Sequence, residues 1–280
     1  MRGWDRVSAA AFAAGCAAIC GCFGACAQER PQSAAVCGGE AIARGSAVRV
    51  IDGRSFVLDD GSEVRLAAIE VPPLPLPAET NPAPGGAAAR DALAALLLGA
   101  DIVLKQAEPQ RTDRHGRIVA YGFVARDGAE RLVQADLVGQ GVARVAAMVG
   151  NRNCAADLLK HERAARAAKL GLWANSYYDL LNAENPADVL AEQGHFALVE
   201  GQVVSVRERG GTIYVNFGRR WTEDFTVTIL KRNERSFTAA NVEPQKLAGR
   251  RVRVRGWIEE HGGPWIEAAR PEQIEFIDHE

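Results

Sequence analysis

The sequence predicts an α+β protein dominated by strands: a small antiparallel barrel with three interleaved helices, then a second small β-barrel. Three observations lead there. Short apolar runs are separated by Asp- and Gly-rich turns, helical periodicity enters late in the first half, and no strand–helix–strand alternation marks a doubly wound sheet. At 280 residues the chain is long enough for two domains that each bury a core.

The first 27 residues stand apart. Arg2 and Arg6 precede an Ala-rich apolar run over 7–27 ending in Ala25-Cys26-Ala27, with small residues at both positions a signal peptidase reads. Gly15, Gly21 and Gly24 keep the run weakly hydrophobic, which favours a cleaved signal peptide over a membrane anchor. A lipid-modified Cys26 is a third option. A periplasmic or secreted location is therefore expected. Of the six cysteines, only Cys37 and Cys154 lie beyond this segment, and an oxidising compartment favours their pairing as a disulfide over two separate thiols.

Residues 28–46 are small and polar, a lead-in. The first domain is expected over 47–174. Val48 and Val50 lead to a turn at Asp52-Gly53, Phe56-Val57-Leu58 follow, and Asp59-Asp60-Gly61 turns the chain into Val64, Leu66 and Ile69: a β-hairpin. Six prolines between 72 and 86 demand an exposed loop. Leu93, Leu96 and Leu97 recur at helical spacing within 87–98, and Gly99 stops that helix. Strands are expected at 102–104 and 118–124. Two helices, 133–140 and 153–169, close the domain, the second with an apolar face of Leu158, Leu159, Ala165 and Ala168.

These residues resemble a known family. Val50-Ile51-Asp52-Gly53-Arg54-Ser55-Phe56 and Val64-Arg65-Leu66-Ala67-Ala68-Ile69-Glu70-Val71-Pro72 are similar to the opening of staphylococcal nuclease-like (thermonuclease) domains. So are Arg111-Thr112-Asp113-Arg114-His115-Gly116-Arg117 with Ala120-Tyr121, the run from Leu137 to Ala143, and Glu162, Ala165, Arg166, Gly171, Leu172 and Trp173. The resemblance implies a five-stranded oligonucleotide-binding (OB) barrel with three helices. It also implies phosphodiester cleavage with a calcium ion, two arginines and a water-activating glutamate. Arg65 and Arg117 match the arginines, whose planar forks suit phosphate oxygens.

The metal and base positions depart from the family pattern. An aspartate belongs two residues after Asp52, where this chain has Arg54; the other metal carboxylate is Glu70; the catalytic glutamate's position is Pro73. A cation at Arg54 repels the ion that several oxygen ligands should hold. Arg54 is therefore expected to stand in the metal's place, pairing with Glu70 and Asp52 and leaving Arg65 and Arg117 for a phosphate, with no cofactor. A rebuilt site using Glu70 or Glu79 as base is the competing reading. His115 is expected to pack or face solvent in its turn.

Residues 175–194 read as a polar linker, partly helical, and 195–280 as the second barrel, OB-like by a looser resemblance. Within it Arg251-Val252-Arg253-Val254-Arg255-Gly256 alternates strictly, so that the arginines share one face and the valines the other. Those arginines, with Tyr214, Phe217 and Trp221 nearby in sequence, supply ingredients for stacking bases and binding phosphates; Glu259, Glu260 and Glu267 dilute them, and a half-exposed strand is written the same way. The net charge of -2 supplies no global field for nucleic acid. No phosphate-binding Gly-Lys loop, dinucleotide fingerprint or zinc cysteine cluster is present. Two functions remain open: a nuclease-family protein acting on DNA or RNA with weakened hydrolysis, or a non-enzymatic binding or scaffolding module.

Overall fold

In the computed structural model, which describes residues 36–77, 80, 82–126 and 128–277, the first half runs as follows. Strands β1 (Ala41–Asp52), β2 (Ser55–Leu58), β3 (Glu63–Leu66) and β4 (Ile69–Glu70) precede helix α1 (Gly86–Leu97). Strands β5 (Asp101–Gln106), β6 (Ile118–Arg126) and β7 (Ala129–Leu132), helix α2 (Val133–Gly139), strand β8 (Arg144–Val145) and helix α3 (Arg152–Ala167) complete it. The proposed signal segment, Cys26 and Glu79 lie outside the described residues.

Long β1 serves two partners. Its first half pairs with β5 and its second half with β2, while β3 joins β2 antiparallel and β6 parallel, which closes a five-stranded barrel. Phe56, Leu58, Val64, Leu66, Ile102, Leu104, Ala120 and Val124 fill it, while Tyr121 and Phe123 are buried on the outer face of β6. Helix α1 seals one end with Ala89, Leu93 and Leu97, which recur on one face of the helix. Gln134 of α2 bridges the β3–β6 seam: its Nε2 donates to Ala67 O and Ala120 O while its Oε1 accepts from Gly122 N–H. The OB-type barrel with three helices is thus the fold of the first half.

Two details differ from the sequence reading, and the expected pairing of Cys37 with Cys154 holds. Residues 41–46 are strand, not lead-in, because β5 supplies a pairing edge that their small side chains do not advertise. In α3, Ala168 falls beyond the helix and is exposed, while Glu162 takes a fully buried position. Cys37 and Cys154 form a disulfide that ties the segment before β1 to α3.

Residues 175–194 are more than a linker: β9 (Leu181–Asn182) pairs in parallel with the next domain's first strand, and α4 (Pro186–Ala191) follows. Then come β10 (Phe196–Gln202), β11 (Ser205–Arg209), β12 (Thr212–Asn216), β13 (Thr226–Leu230), α5 (Glu234–Ala239), β14 (Arg251–Trp257), β15 (Glu259–His261), β16 (Gly263–Glu267) and β17 (Ile274–Phe276). The pairing order repeats that of the first barrel. β10 and β11 act as one bent strand pairing with β14 and β12, β12 pairs with β13, and β13 pairs in parallel with β16. A helix again sits between the third and fourth strands.

The strict alternation of β14 misleads about its surroundings. Arg251 is exposed, but Arg253 is 4% and Arg255 0% exposed. One face packs on the barrel core and the other against the first domain, so the arginine row is no solvent-facing surface. Arg255 donates to Glu162 Oε1 and Oε2 (3.1 and 2.7 Å), to Val145 O (3.0 Å) and to Glu275 Oε1 (2.5 Å). Arg253 binds Glu200 at 2.6 Å. Burial alone would lower the pKa of Arg255; the charges of Glu162 and Glu275 outweigh it and raise the value. Phe217 is likewise a core residue, packed on Phe225. Ala165, Trp173, Phe196 and Leu198 form an apolar cluster joining the halves, and the two halves group as one compact unit.

Candidate functional site

The site begins at the two-residue turn between β1 and β2. Asp52 pairs with Ser55 across it, leaving Gly53 and Arg54 at the tip. A Cβ on Gly53 would lie 2.5 Å from the Ala89 side chain, so only glycine lets α1 pack this closely. Asp52 Oδ1 accepts the Arg54 backbone N–H at 2.8 Å, the local bond that Asp side chains make in turns.

Glu70 arrives from the other side. After β3 the chain bends at Ala68, held at φ 67 in the left-handed region, at a cost of about 1–2 kcal/mol for a residue with a Cβ. Ala67 N–H to Ala120 O and Ala146 N–H to Ala68 O, both 2.9 Å, hold the bend in place. It directs β4 onto β8, where Glu70 faces Arg144 in register. The Arg54 guanidinium meets Glu70 Oε2 at 2.5 Å and donates to Ile69 O at 3.0 Å, with both side chains about one-sixth exposed. A cation and a carboxylate are thus locked together beside Asp52.

The two candidate arginines differ. The side chain of Arg65, on β3 opposite Ser55, makes no hydrogen bond or ion pair among the described residues. Its pKa is lowered, first by burial and then by the charge of Arg54, with Arg117 adding to the effect and Glu70 opposing it. Arg65 is thus a half-buried cation with two arginines and two carboxylates, Glu70 and Asp52, in its neighbourhood. Arg117 is already engaged: Nε and Nη2 hold Asp113 Oδ2 at 2.8 and 2.7 Å, and Nη1 lies 3.9 Å from Glu63. The Asp113 carboxyl, despite some desolvation, is held down at about 2 by Arg117 and by the backbone N–H of His115 and Arg117. His115 itself is exposed in the turn.

Asp52, Arg54, Glu70 and Pro73 line one wall of a cleft of about 550 Å³; Tyr177, Tyr178, His195, Phe196 and Trp257 line the other. Arg65 and Arg117 are not among its lining residues. Pro73 is exposed, and its carbonyl lies so near Gly86 that any Cβ there would sit 2.1 Å away. The sequence reading stopped one residue short of Arg144, which also lines the cleft. Its guanidinium lies 5.0 Å from the Tyr178 and Phe196 rings and donates to Phe196 O at 2.8 Å. Burial lowers its pKa, opposed by Tyr178, Glu162 and Glu70. A lone arginine between Ala143 and Val145, on a two-residue strand, was the available signal.

The comparisons with known proteins bear on this geometry. Residues 63–175 match the family model described as Staphylococcal nuclease homologue. This part of the chain is a staphylococcal nuclease-like domain. The match begins after the Arg54 turn, yet β1 and β2 close the same barrel, so the nuclease-like fold extends N-terminally to include them. Among curated proteins, none matches the chain. Membership supports a nuclease-like, nucleic-acid-binding module, with Arg65, Arg117 and Glu70 inside the matched region. No helix among the described residues is long and apolar enough to cross a membrane.

Proposed function

We propose that the nuclease-like domain binds a nucleic-acid phosphodiester at Arg65 without a calcium ion, and that its hydrolysis is weak or lost. The observation that carries this reading is the Arg54–Glu70 pair. Calcium takes about 6–8 oxygen ligands at close range. Here the matching carboxylate, Glu70, is turned onto a guanidinium, and Arg54 puts a fixed positive charge beside Asp52, so this donor set does not fit the ion. Pro73 offers no side chain to accept a proton from water. What remains is an unpaired, half-buried arginine beside a neutralised pair, suited to hold a phosphate but not to cleave its ester.

The Cys37–Cys154 disulfide supports an oxidising compartment and hence the expected export to the periplasm or outside the cell. A rebuilt active site with Glu70 or Glu79 is disfavoured for Glu70 by its engagement with Arg54. The alternative of a purely scaffolding module is separated by experiment: single- and double-stranded DNA and RNA are incubated with the protein in calcium and in chelator, and binding and cleavage are both read. Binding without cleavage is expected, with the double-stranded component lost in Arg65→Ala. Vigorous calcium-dependent turnover would overturn the reading, and no binding at all would favour the scaffold.

A further inference from the structure

The outer face of the second barrel carries a track of rings flanked by unpaired cations. Strand alternation turns Ile213, Val215, Val227, Ile229 and Ile266 into the core. That leaves Arg207 and Arg209 of β11, Tyr214 of β12 and Trp265 of β16 on the opposite face. The register sets Arg207 beside Tyr214, Tyr214 beside Thr228, and Thr226 beside Trp265.

The rings of Tyr214 and Trp265 meet edge to face at 5.9 Å, while Thr228 and Thr226 on the strand between them are 2% and 3% exposed. His261 extends the track, 4.8 Å from Trp265. Beyond it, Gly262 and Gly263 pack tightly on the backbone of Thr222 and Glu223, which brings alongside the loop bearing Arg219 and Trp221. Trp221 is 68% exposed. The side chains of Arg207, Arg209 and Arg219 make no hydrogen bond or ion pair among the described residues. On the same face, Glu259 lies 3.2 Å from His261 and Glu267 is exposed, while on the adjoining loop Glu223 and Asp224 pair with Arg220.

We propose that this face is a second binding site, for single-stranded nucleic acid. Successive rings offer stacking platforms to unpaired bases of any identity, and the arginines at the edge track the phosphates. A duplex keeps its bases stacked on one another and offers them to no platform, so single strands are the fitting ligand. The surface is distinct from the Arg65 site and stands or falls without it.

The test is fluorescence anisotropy on the full chain with a labelled oligothymidylate of about 15 nucleotides at low salt. Arg207→Glu/Arg209→Glu, exposed substitutions that leave the core untouched, should weaken binding about ten-fold or more and flatten its salt dependence by about 1–2 in the log–log slope. Tyr214→Ala should weaken it about ten-fold, with Tyr214→Phe close to the parent. Arg65→Ala should retain this component. Affinity unmoved by the charge reversals overturns the proposal. So does loss of all binding in Arg65→Ala, which would assign binding to the first barrel alone. Equal affinity for inorganic polyphosphate, indifferent to Tyr214→Ala, also overturns it.

Discussion

Removing the Arg255 side chain should uncouple the two barrels. Arg255 and Glu162 are each 0% exposed, and the guanidinium supplies both oxygens of Glu162 with a donor while also bonding Val145 O and Glu275. In Arg255→Ala, Glu162 keeps, among the described residues, the Val145 N–H at 2.7 Å and Arg166 Nη1 at 3.9 Å. Breaking one side of a buried pair costs about 3–5 kcal/mol, because the other charge stays buried and uncompensated. That is a large share of the roughly 5–15 kcal/mol that holds a typical protein together. In urea, with a slope near about 3 kcal/mol/M, the midpoint should fall by about 1 M or more. Replacing both partners, Arg255→Met with Glu162→Met, should recover most of the loss, because the fully buried carboxylate leaves with its cation and Glu275 keeps Arg163 at 3.1 Å. An Arg255→Ala midpoint within about 0.2 M of the parent would refute this account, as would a double variant no better than the single one.

Four further outcomes are expected. Replacing Cys37 and Cys154 by serine removes a cross-link spanning 117 residues, worth up to about 4.9 kcal/mol in the chain-entropy model, and should lower Tm; reduction of the parent should give the same loss. Acid should weaken the native state through Glu275, whose pKa desolvation would raise but Arg255 and Arg253 lower. A depressed carboxyl stabilises above its unfolded value of 4.5 and loses that contribution as pH falls through its folded value, so Glu275→Gln should flatten the acid limb of Tm against pH. Asp113, held at about 2, acts the same way between about pH 4 and 2, with an effect below about 1 kcal/mol after solvent screening. Arg54→Asp with Pro73→Glu should create calcium-dependent stabilisation, about 2.7 kcal/mol at a hundredfold excess over Kd, read as a Tm rise that chelator reverses; a folded double variant indifferent to calcium would count against Arg54 as the metal's replacement.

Much of the barrel was legible because turns and alternation are local. Asp59-Asp60-Gly61 and the Asp52-Gly53 turn announce their hairpins through backbone chemistry that needs no neighbour. The arginines of β14 were not legible. A period of two separates the faces of a strand but does not say what covers either, and here α3 and β17 supply Glu162 and Glu275 to receive Arg255 from elements far away in sequence. Glu162 carried the same ambiguity: its helical phase was readable, its burial was not. The first half of β1 was missed because Ala, Gly and Ser carry no hydrophobic signal, and its strand character comes from β5. At the site, the opposed charges of Arg54 and Glu70 could be read directly, whereas the engagement of Arg117 by Asp113 depended on the turn's three-dimensional closure.

The chemistry at this site is separable from the fold that presents it. The barrel closes through β-ladders, through the apolar side chains inside it, through Gln134 at its seam and through the close approach of Gly53 to Ala89. None of these contacts uses the Arg54 guanidinium or the Glu70 carboxylate, both of which project from the barrel's edge into the cleft. A carboxylate-to-arginine exchange at the turn therefore costs the fold little, and the retained Glu70 gives the new charge a partner at 2.5 Å. Arg65 sits in a barrel strand and keeps its place whichever charge occupies the turn. On the function proposed above, phosphate recognition rests on the barrel strand and ester cleavage on the turn, so a substitution at the turn removes the second without disturbing the first.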